Sequence, residues 1–201
     1  MEQRQTQEER VRTSTEALLD AALELVAERG YAGASPALIA ARAGYDRKMV
    51  HHRFGSKVGL FRALLERSFQ RPILAPMADP DLPGLDRATS TMSALSKLYR
   101  EDPRFLRAVF TIAFQVVGTS SELAAIYRAW IDDAREAVTR ALQQGQIDGS
   151  VRPEIDAPQA ARAAVDATTG LVFRWCLSPE QVDLVAELEA WATSAKQILG
   201  A

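Results

Sequence analysis

The sequence predicts an all-α protein of about nine helices, a small helix-turn-helix unit followed by a larger helical bundle. Three observations carry that prediction. Apolar residues recur at helical spacing, as in Leu18, Ala22, Leu25 and Val26, which share one helix face. No window alternates apolar and polar residues long enough to demand a strand. Glycines and Ser-Pro or Asp-Pro pairs punctuate the chain where helices would stop and start.

Taken in order, residues 1–12 read as a polar arm. The first helix is expected from near Thr13, where Thr13 and Glu16 stand at capping-box spacing, to Gly30. Ser35 then caps a second helix, with Pro36 at its first position, where a missing N–H is no loss. Gly44 closes it, and Asp46 caps a third helix over 47–53. Ser56 caps a fourth, which turns Leu60, Phe61, Leu64, Leu65 and Phe69 inward. Pro72, Pro76, Pro80 and Pro83 follow, and no helix is expected through that density. The domain organisation read from this pattern is an arm and helix-turn-helix unit over 1–55, a connecting helix over 56–70, and a second domain over 71–201. In that second domain, helices are expected over 86–100 and from Asp102-Pro103 to just before Gly118. Another runs from a Thr119/Glu122 capping box to Gly145, and the last two start at Asp156 with Pro158 and at Ser178-Pro179.

Composition is that of a globular protein, with 47% hydrophobic and 25% charged residues in a chain of 201. No apolar run approaches the roughly 20 residues of a membrane span. The N-terminus, MEQRQTQEERVRTSTE, is too polar for a signal peptide. The single cysteine, Cys176, has no disulfide partner and no metal-ligand companions. A cytoplasmic protein is expected. Net charge is −2, but it is unevenly spread. Residues 1–70 hold 11 Lys and Arg against 9 Asp and Glu, whereas 71–201 hold 13 against 17. Nucleic-acid binding needs a basic face, not a basic protein.

That face is the stretch Ile39 to Lys57, with five bases (Arg42, Arg47, Lys48, Arg53, Lys57), one acid (Asp46) and both histidines of the chain. A helix over 47–53 is too short and polar to be stable alone, and Val50 and Phe54 can pin it to a core. The rest of its surface suits the major groove of DNA. The histidines, His51 and His52, are adjacent and diverge by ~100° on a helix, so they do not make a metal site. No metal and no cofactor is expected. Asp132-Asp133 and the acids of the last helix read as solvated faces. With no phosphate loop and no Ser/His/acid set, no enzyme is expected either.

Residues 10–70 resemble the DNA-binding domain of the TetR family of bacterial transcriptional repressors. The matching residues are Ala21-Ala22, Gly30-Tyr31, Ile39-Ala40, Ala43-Gly44, Phe54 and Ser56-Lys57. Two positions depart from the family pattern: His51 stands where tyrosine is usual, and Lys48 where a small residue is common. The resemblance implies that Arg47, Lys48, Met49 and His51 point at base edges, and that His52, Arg53, Lys57 and Ser35 hold phosphates. Arginine fits guanine O6/N7, methionine can touch a thymine methyl, and a helix N-terminus attracts an anion.

The resemblance also implies an effector pocket in the second domain. Phe110, Phe114, Tyr127, Trp130, Thr169 and Phe173 are expected to form its wall, with Gln115 or Arg174 as the polar contact. Such a wall suits an apolar or aromatic small molecule. For a homodimer, Leu184, Leu188, Trp191, Ala195 and Ile198 repeat at 4-3-4-3 spacing as a seam, with Ala160, Ala164, Ala167, Leu171 and Trp175 along the preceding helix. Together these imply a repressor on a palindromic double-stranded DNA operator, released by a small-molecule effector. The other readings are an activator or co-repressor-dependent regulator of the same fold, and a ligand-sequestering protein with no DNA role.

Overall fold

Why one helix begins before its most obvious cap is visible at the start of the computed structural model, which describes residues 6–116 and 121–201. Helix α1 (Gln7–Gly33) is capped by Thr6 and not near Thr13. The Thr6 hydroxyl accepts from the Glu9 N–H at 3.2 Å, and the Glu9 carboxylate accepts from the Thr6 N–H at 2.7 Å. The Thr-x-x-Glu signature occurs twice in this stretch, and nothing between the two copies stops a helix, so the earlier one sets the start. The expected polar arm is therefore helical from Gln7 onward. Gly30, with φ 67° and ψ 176°, breaks α1 as expected, and one irregular turn follows it to Gly33.

The next elements are α2 (Pro36–Arg42), α3 (Arg47–Phe54) and α4 (Lys57–Leu65). Their side-chain caps are the ones the sequence announced. Ser35 accepts from Leu38 N–H, Asp46 from Lys48 N–H and Ser56 from Gly59 N–H. Gly44 takes φ 77° in the turn between α2 and α3, where a side chain would be strained.

The helix after Ser56 does not stop before Pro72. From α4 it passes through a π-helical turn (Glu66–Gln70) into α5 (Arg71–Leu74) and a 3-10 turn (Ala75–Ala78). Proline lacks an N–H and its ring crowds the carbonyl four residues back. Here the wide turn comes directly before it: the Arg71 N–H reaches the Glu66 carbonyl, five residues back, which opens the coil where the ring enters. Burial of Phe69, Ile73 and Met77 holds the segment in place.

The larger unit is α6 (Gly84–Glu101), α7 (Pro103–Gln115), α8 (Glu122–Asp148), α9 (Ala157–Leu177) and α10 (Leu184–Leu199). Three expected boundaries move. Gly145 does not end α8, which runs on to a left-handed Gly149. Gly145 instead marks a helix crossing: a Cβ on Gly84 would lie 2.1 Å from the Gly145 nitrogen, so the start of α6 sits against the α8 backbone. Helix α8 is capped by Ser121, which accepts from Ala124 N–H, while Gly118 and Thr119 lie outside the described residues. Helix α10 is capped by Asp183, and Ser178-Pro179 belongs to the preceding turn, where the Ser178 carbonyl accepts from Gln181 and Val182. An isolated antiparallel bridge, Val151 to Gly200, ties the end of α10 to the turn after α8.

One apolar core runs through both halves. Leu18, Leu25, Ile39, Phe61 and Leu64 join α1, α2 and α4, and the same cluster continues through Phe69, Leu106, Phe110, Val172, Leu184 and Leu188. Helix α1 packs along α7, and α6 lies against both α8 and α10. Among the described residues, no helix is long and apolar enough to cross a membrane.

Candidate functional site

Helix α3 is held from beneath and open above. Val50 is buried and Phe54 half-buried against the core of the N-terminal unit. Arg47, Lys48, His51 and His52 are exposed, and neither Arg47 nor Lys48 has an ion-pair partner among the described residues. The local acid is not available to neutralise them by contact, since Asp46 accepts from the Lys48 N–H at 2.7 Å as the helix cap. Met49 differs from its neighbours: it is half-buried and packs on the core, so it supports α3 as well as bordering its outer face.

The remaining bases of this stretch are engaged. Arg42 bonds Glu24 at 3.1 Å and Glu28 at 3.0 Å, which fixes α2 to α1 and removes it from any outward role. Those hydrogen bonds hold the Glu28 carboxyl below the usual carboxylate range. Arg53 donates from Nε to the Ser14 hydroxyl at 3.2 Å, leaving its terminal nitrogens outward. Lys57 donates to the carbonyls of Tyr31 at 2.6 Å and Ala32 at 3.4 Å, and stands 4.2 Å above the Tyr31 ring. Burial lowers its pKa. The Lys57 ammonium thus clamps α4 to the end of α1 and keeps one N–H for another acceptor. Ser35 uses its oxygen as the α2 cap, and its hydroxyl proton is free to donate. Sequence reasoning passed over Leu38, which is exposed on the first turn of α2. Its only signal was a leucine placed off the inward face set by Ile39 and Ala40.

The second domain holds a cavity in two lobes. The inner lobe, about 40 Å³, lies among α6, α8 and α9, with Met77, Met92, Leu95 and Val138 in its wall. The outer lobe, about 300 Å³, lies against α7 and α8, with Phe114, Tyr127, Arg128 and Ile131. Phe110, Trp130 and Thr169 line both. Five of the expected wall residues therefore come together. Phe173 is 41% exposed and meets Phe114 edge-on at 4.6 Å, so it covers the wall from outside. Neither expected polar contact is present. Gln115 faces a separate groove between α1 and α7, and Arg174 is exposed and paired with Glu187 at 2.8 Å. The helical phase of α7 and α9 carries both away from the faces that bear Phe110 and Thr169. The charged residue at the cavity is Arg128, which the sequence offers inside Tyr127-Arg128-Ala129-Trp130 but which is not among the expected contacts.

The expected dimer seam is largely used within the chain. Leu184 and Leu188 are 0% exposed, and Trp175 and Ala195 are also buried, because α10 packs its seam on α6 and α9. Ala164 lines the inner lobe, and Ala160 packs on the core beneath α8. A partner could reach none of the buried four without unfolding them. What remains outward is a shallow groove of about 420 Å³ between α9 and α10, with Ala167, Gly170, Leu171, Ala190 and Trp191, and near it Ile198, 56% exposed.

A capped helix-turn-helix with a free basic second helix, joined by a continuous helical path to a bundle with an internal apolar cavity, defines a DNA-binding transcriptional regulator. Residues 18–64 match the family described as bacterial regulatory proteins, tetR family. The chain is 30% identical over 183 residues to the HTH-type transcriptional regulator BetI of Paraburkholderia phytofirmans, covering 85% of this chain and 86% of that one. It is 25% identical over 201 residues to the HTH-type transcriptional regulator TtgR of Pseudomonas putida, covering 98% and 95%. The solved structure of SmeT, the repressor of the Stenotrophomonas maltophilia multidrug efflux pump SmeDEF, superposes with a TM-score of 0.75 at 25% identity, covering 93% of this chain and 90% of that one. The chain belongs to the TetR family of bacterial transcriptional regulators.

Proposed function

We propose that this regulator is a cytoplasmic repressor: a two-fold dimer holds a near-palindromic operator and lets go when a small molecule fills the cavity. In this reading residues 1–55 read DNA, 56–70 connect, and 71–201 sense and dimerise. The observation that carries it is the continuity of the path from cavity to α3. The cavity wall touches the π-helical turn through Phe69, and that turn continues α4, whose first turn Lys57 clamps to α1. A ligand that fits one position of this path better than the other shifts the population between them. The relatives whose names describe regulators, and SmeT as a repressor, support the sign of control.

On the DNA, Arg47, Lys48 and His51 face base edges, with Met49 bordering them. Arg53, His52, Ser35 and the remaining N–H of Lys57 meet phosphates. The dimer pairs the α9–α10 face around Ala167, Gly170, Leu171, Trp191 and Ile198. Two copies of α3 about a two-fold axis set half-site centres ~34–36 Å apart, or a multiple of that. No catalytic step is assigned to the protein. The test is selection of bound fragments from a random duplex pool by the full chain. A near-palindromic consensus is expected. A pool that emerges unenriched, with and without candidate ligands, overturns the repressor.

A further inference from the structure

The proposed effector cavity is apolar, yet its few polar groups are not balanced. Among the described residues, neither lobe has a carboxylate in its lining. The hydroxyls are already committed as donors: Tyr127 to the Val109 carbonyl at 2.6 Å, Thr168 and Thr169 to the carbonyls of Ala164 and Val165, each at 2.8 Å, and Thr91 to the Met77 sulfur at 4.0 Å. Two donors remain. The Trp130 indole N–H is buried with no partner among the described residues. Arg128 lines the outer lobe, is exposed, and makes no ion pair or hydrogen bond among the described residues.

None of the acids along α8 pairs with Arg128 among the described residues. Along α8, Glu122 pairs with Arg62 at 2.7 Å, Asp132 with Arg135 at 3.8 Å, and Glu136 with Arg140. Asp133 lines a different groove, with Arg62 and Glu66. The outer lobe therefore presents an unneutralised guanidinium at the edge of an aromatic hollow. A guanidinium binds a carboxylate through two parallel N–H groups, a geometry that an amide or an alcohol does not match. The aromatic wall stabilises an apolar body in proportion to the area removed from water. Met77 and Met92 in the inner lobe are flexible gap-fillers, so the small lobe can widen for the far end of a ligand.

We propose that the effector is an amphipathic organic monoanion: an apolar body seated among Phe110, Phe114, Tyr127 and Trp130, with one carboxylate on Arg128 at the mouth. This rests on the reading of the cavity as the effector site. A cation would meet aromatic faces but also a like charge and, among the described residues, no acceptor carboxylate, so it is disfavoured relative to an anion.

The test is calorimetric titration of the whole chain with three probes of one shape: naphthoate, naphthamide and naphthylmethylammonium. Naphthoate is expected to bind up to about fivefold tighter than the amide, the upper end of what a partly exposed ion pair supplies. The ammonium probe should bind weakest. Arg128→Gln should remove the preference for naphthoate and leave the amide within twofold, while Arg128→Lys should keep part of it. Equal affinity of acid and amide in the wild type, or a preference that survives Arg128→Gln, overturns the anion. If all three probes bind equally and loosen the operator complex, the cavity reading stands and the anion alone falls. If none binds, both fall. Melting curves of the two variants should match the wild type, since Arg128 is exposed.

Discussion

Phe69 meets Trp130 edge-on, with ring centroids 4.8 Å apart and planes at 66°. Phe69 is fully buried in the π-helical turn below α4, and it also meets Phe110 at 5.5 Å. Trp130 and Phe110 line both lobes of the cavity. Ile73, further along the same helical path, lines the inner lobe directly. Phe69→Leu is expected to keep operator binding and to blunt the effector's weakening of it severalfold, as read from operator affinity with and without ligand. Phe69→Ala should instead cost about 3–5 kcal/mol of stability, the usual range for emptying such a site. A leucine variant that responds to ligand like the wild type would remove Phe69 from the relay.

At the DNA face, Arg47→Ala should weaken operator binding by ~1–3 kcal/mol and relax preference at one or two base pairs. Arg53→Ala should lower affinity and the salt slope, since a contacted phosphate releases counterion. Met49→Ala is expected to behave differently, with a lower melting temperature, because its side chain packs on the core. Electrophoretic mobility shifts over a salt series, beside melting curves, separate the three.

The dimer face is open to a paired substitution. Ala167→Glu places a charge on the exposed side of α9 and should give folded monomers by light scattering. Leu188→Glu places one at a site with 0% exposure, where an unpaired buried charge is costly, and should unfold the chain instead. Folded monomers from Leu188→Glu would return the seam to the interface.

Acid sensitivity should reside partly at Asp148. The Ser150 hydroxyl first, then the N–H groups of Gly84 and Ser150, hold its carboxyl below the usual range. A carboxyl depressed in the folded state stabilises above its unfolded value, here near 3.8, and loses that contribution as pH falls through the folded value. Asp148→Asn should therefore melt below the wild type at pH 7, and the gap should narrow below pH ~4. A constant gap across that range would place the effect in packing instead.

Most of the local structure was legible in the residues themselves. Ser35, Asp46 and Ser56 cap the helices they precede, because a cap is a contact over three residues and needs no tertiary partner. Gly44 breaks the chain where a left-handed backbone is needed. The bases of α3 could be read from the residues, whereas the aromatic wall of Phe110, Phe114, Tyr127 and Trp130 was expected from the family resemblance and is assembled by the packing of α7 against α8. The tertiary structure decided the rest, because it settles which of several possible partners a face meets. Pro72 stays helical because a π-helical turn precedes it and burial of Phe69 and Ile73 holds it. Gly145 is a crossing because Gly84 lies against it, sixty residues away in sequence. The Leu184–Leu188 seam looks the same in sequence whether a second copy or α6 covers it. Only the packing shows that α6 does, which leaves the flatter face beside it as the one that stays outward. Likewise the charged residue at the cavity is Arg128 and not Arg174, because an arginine's role depends on which acids lie within reach, and reach is a property of the fold.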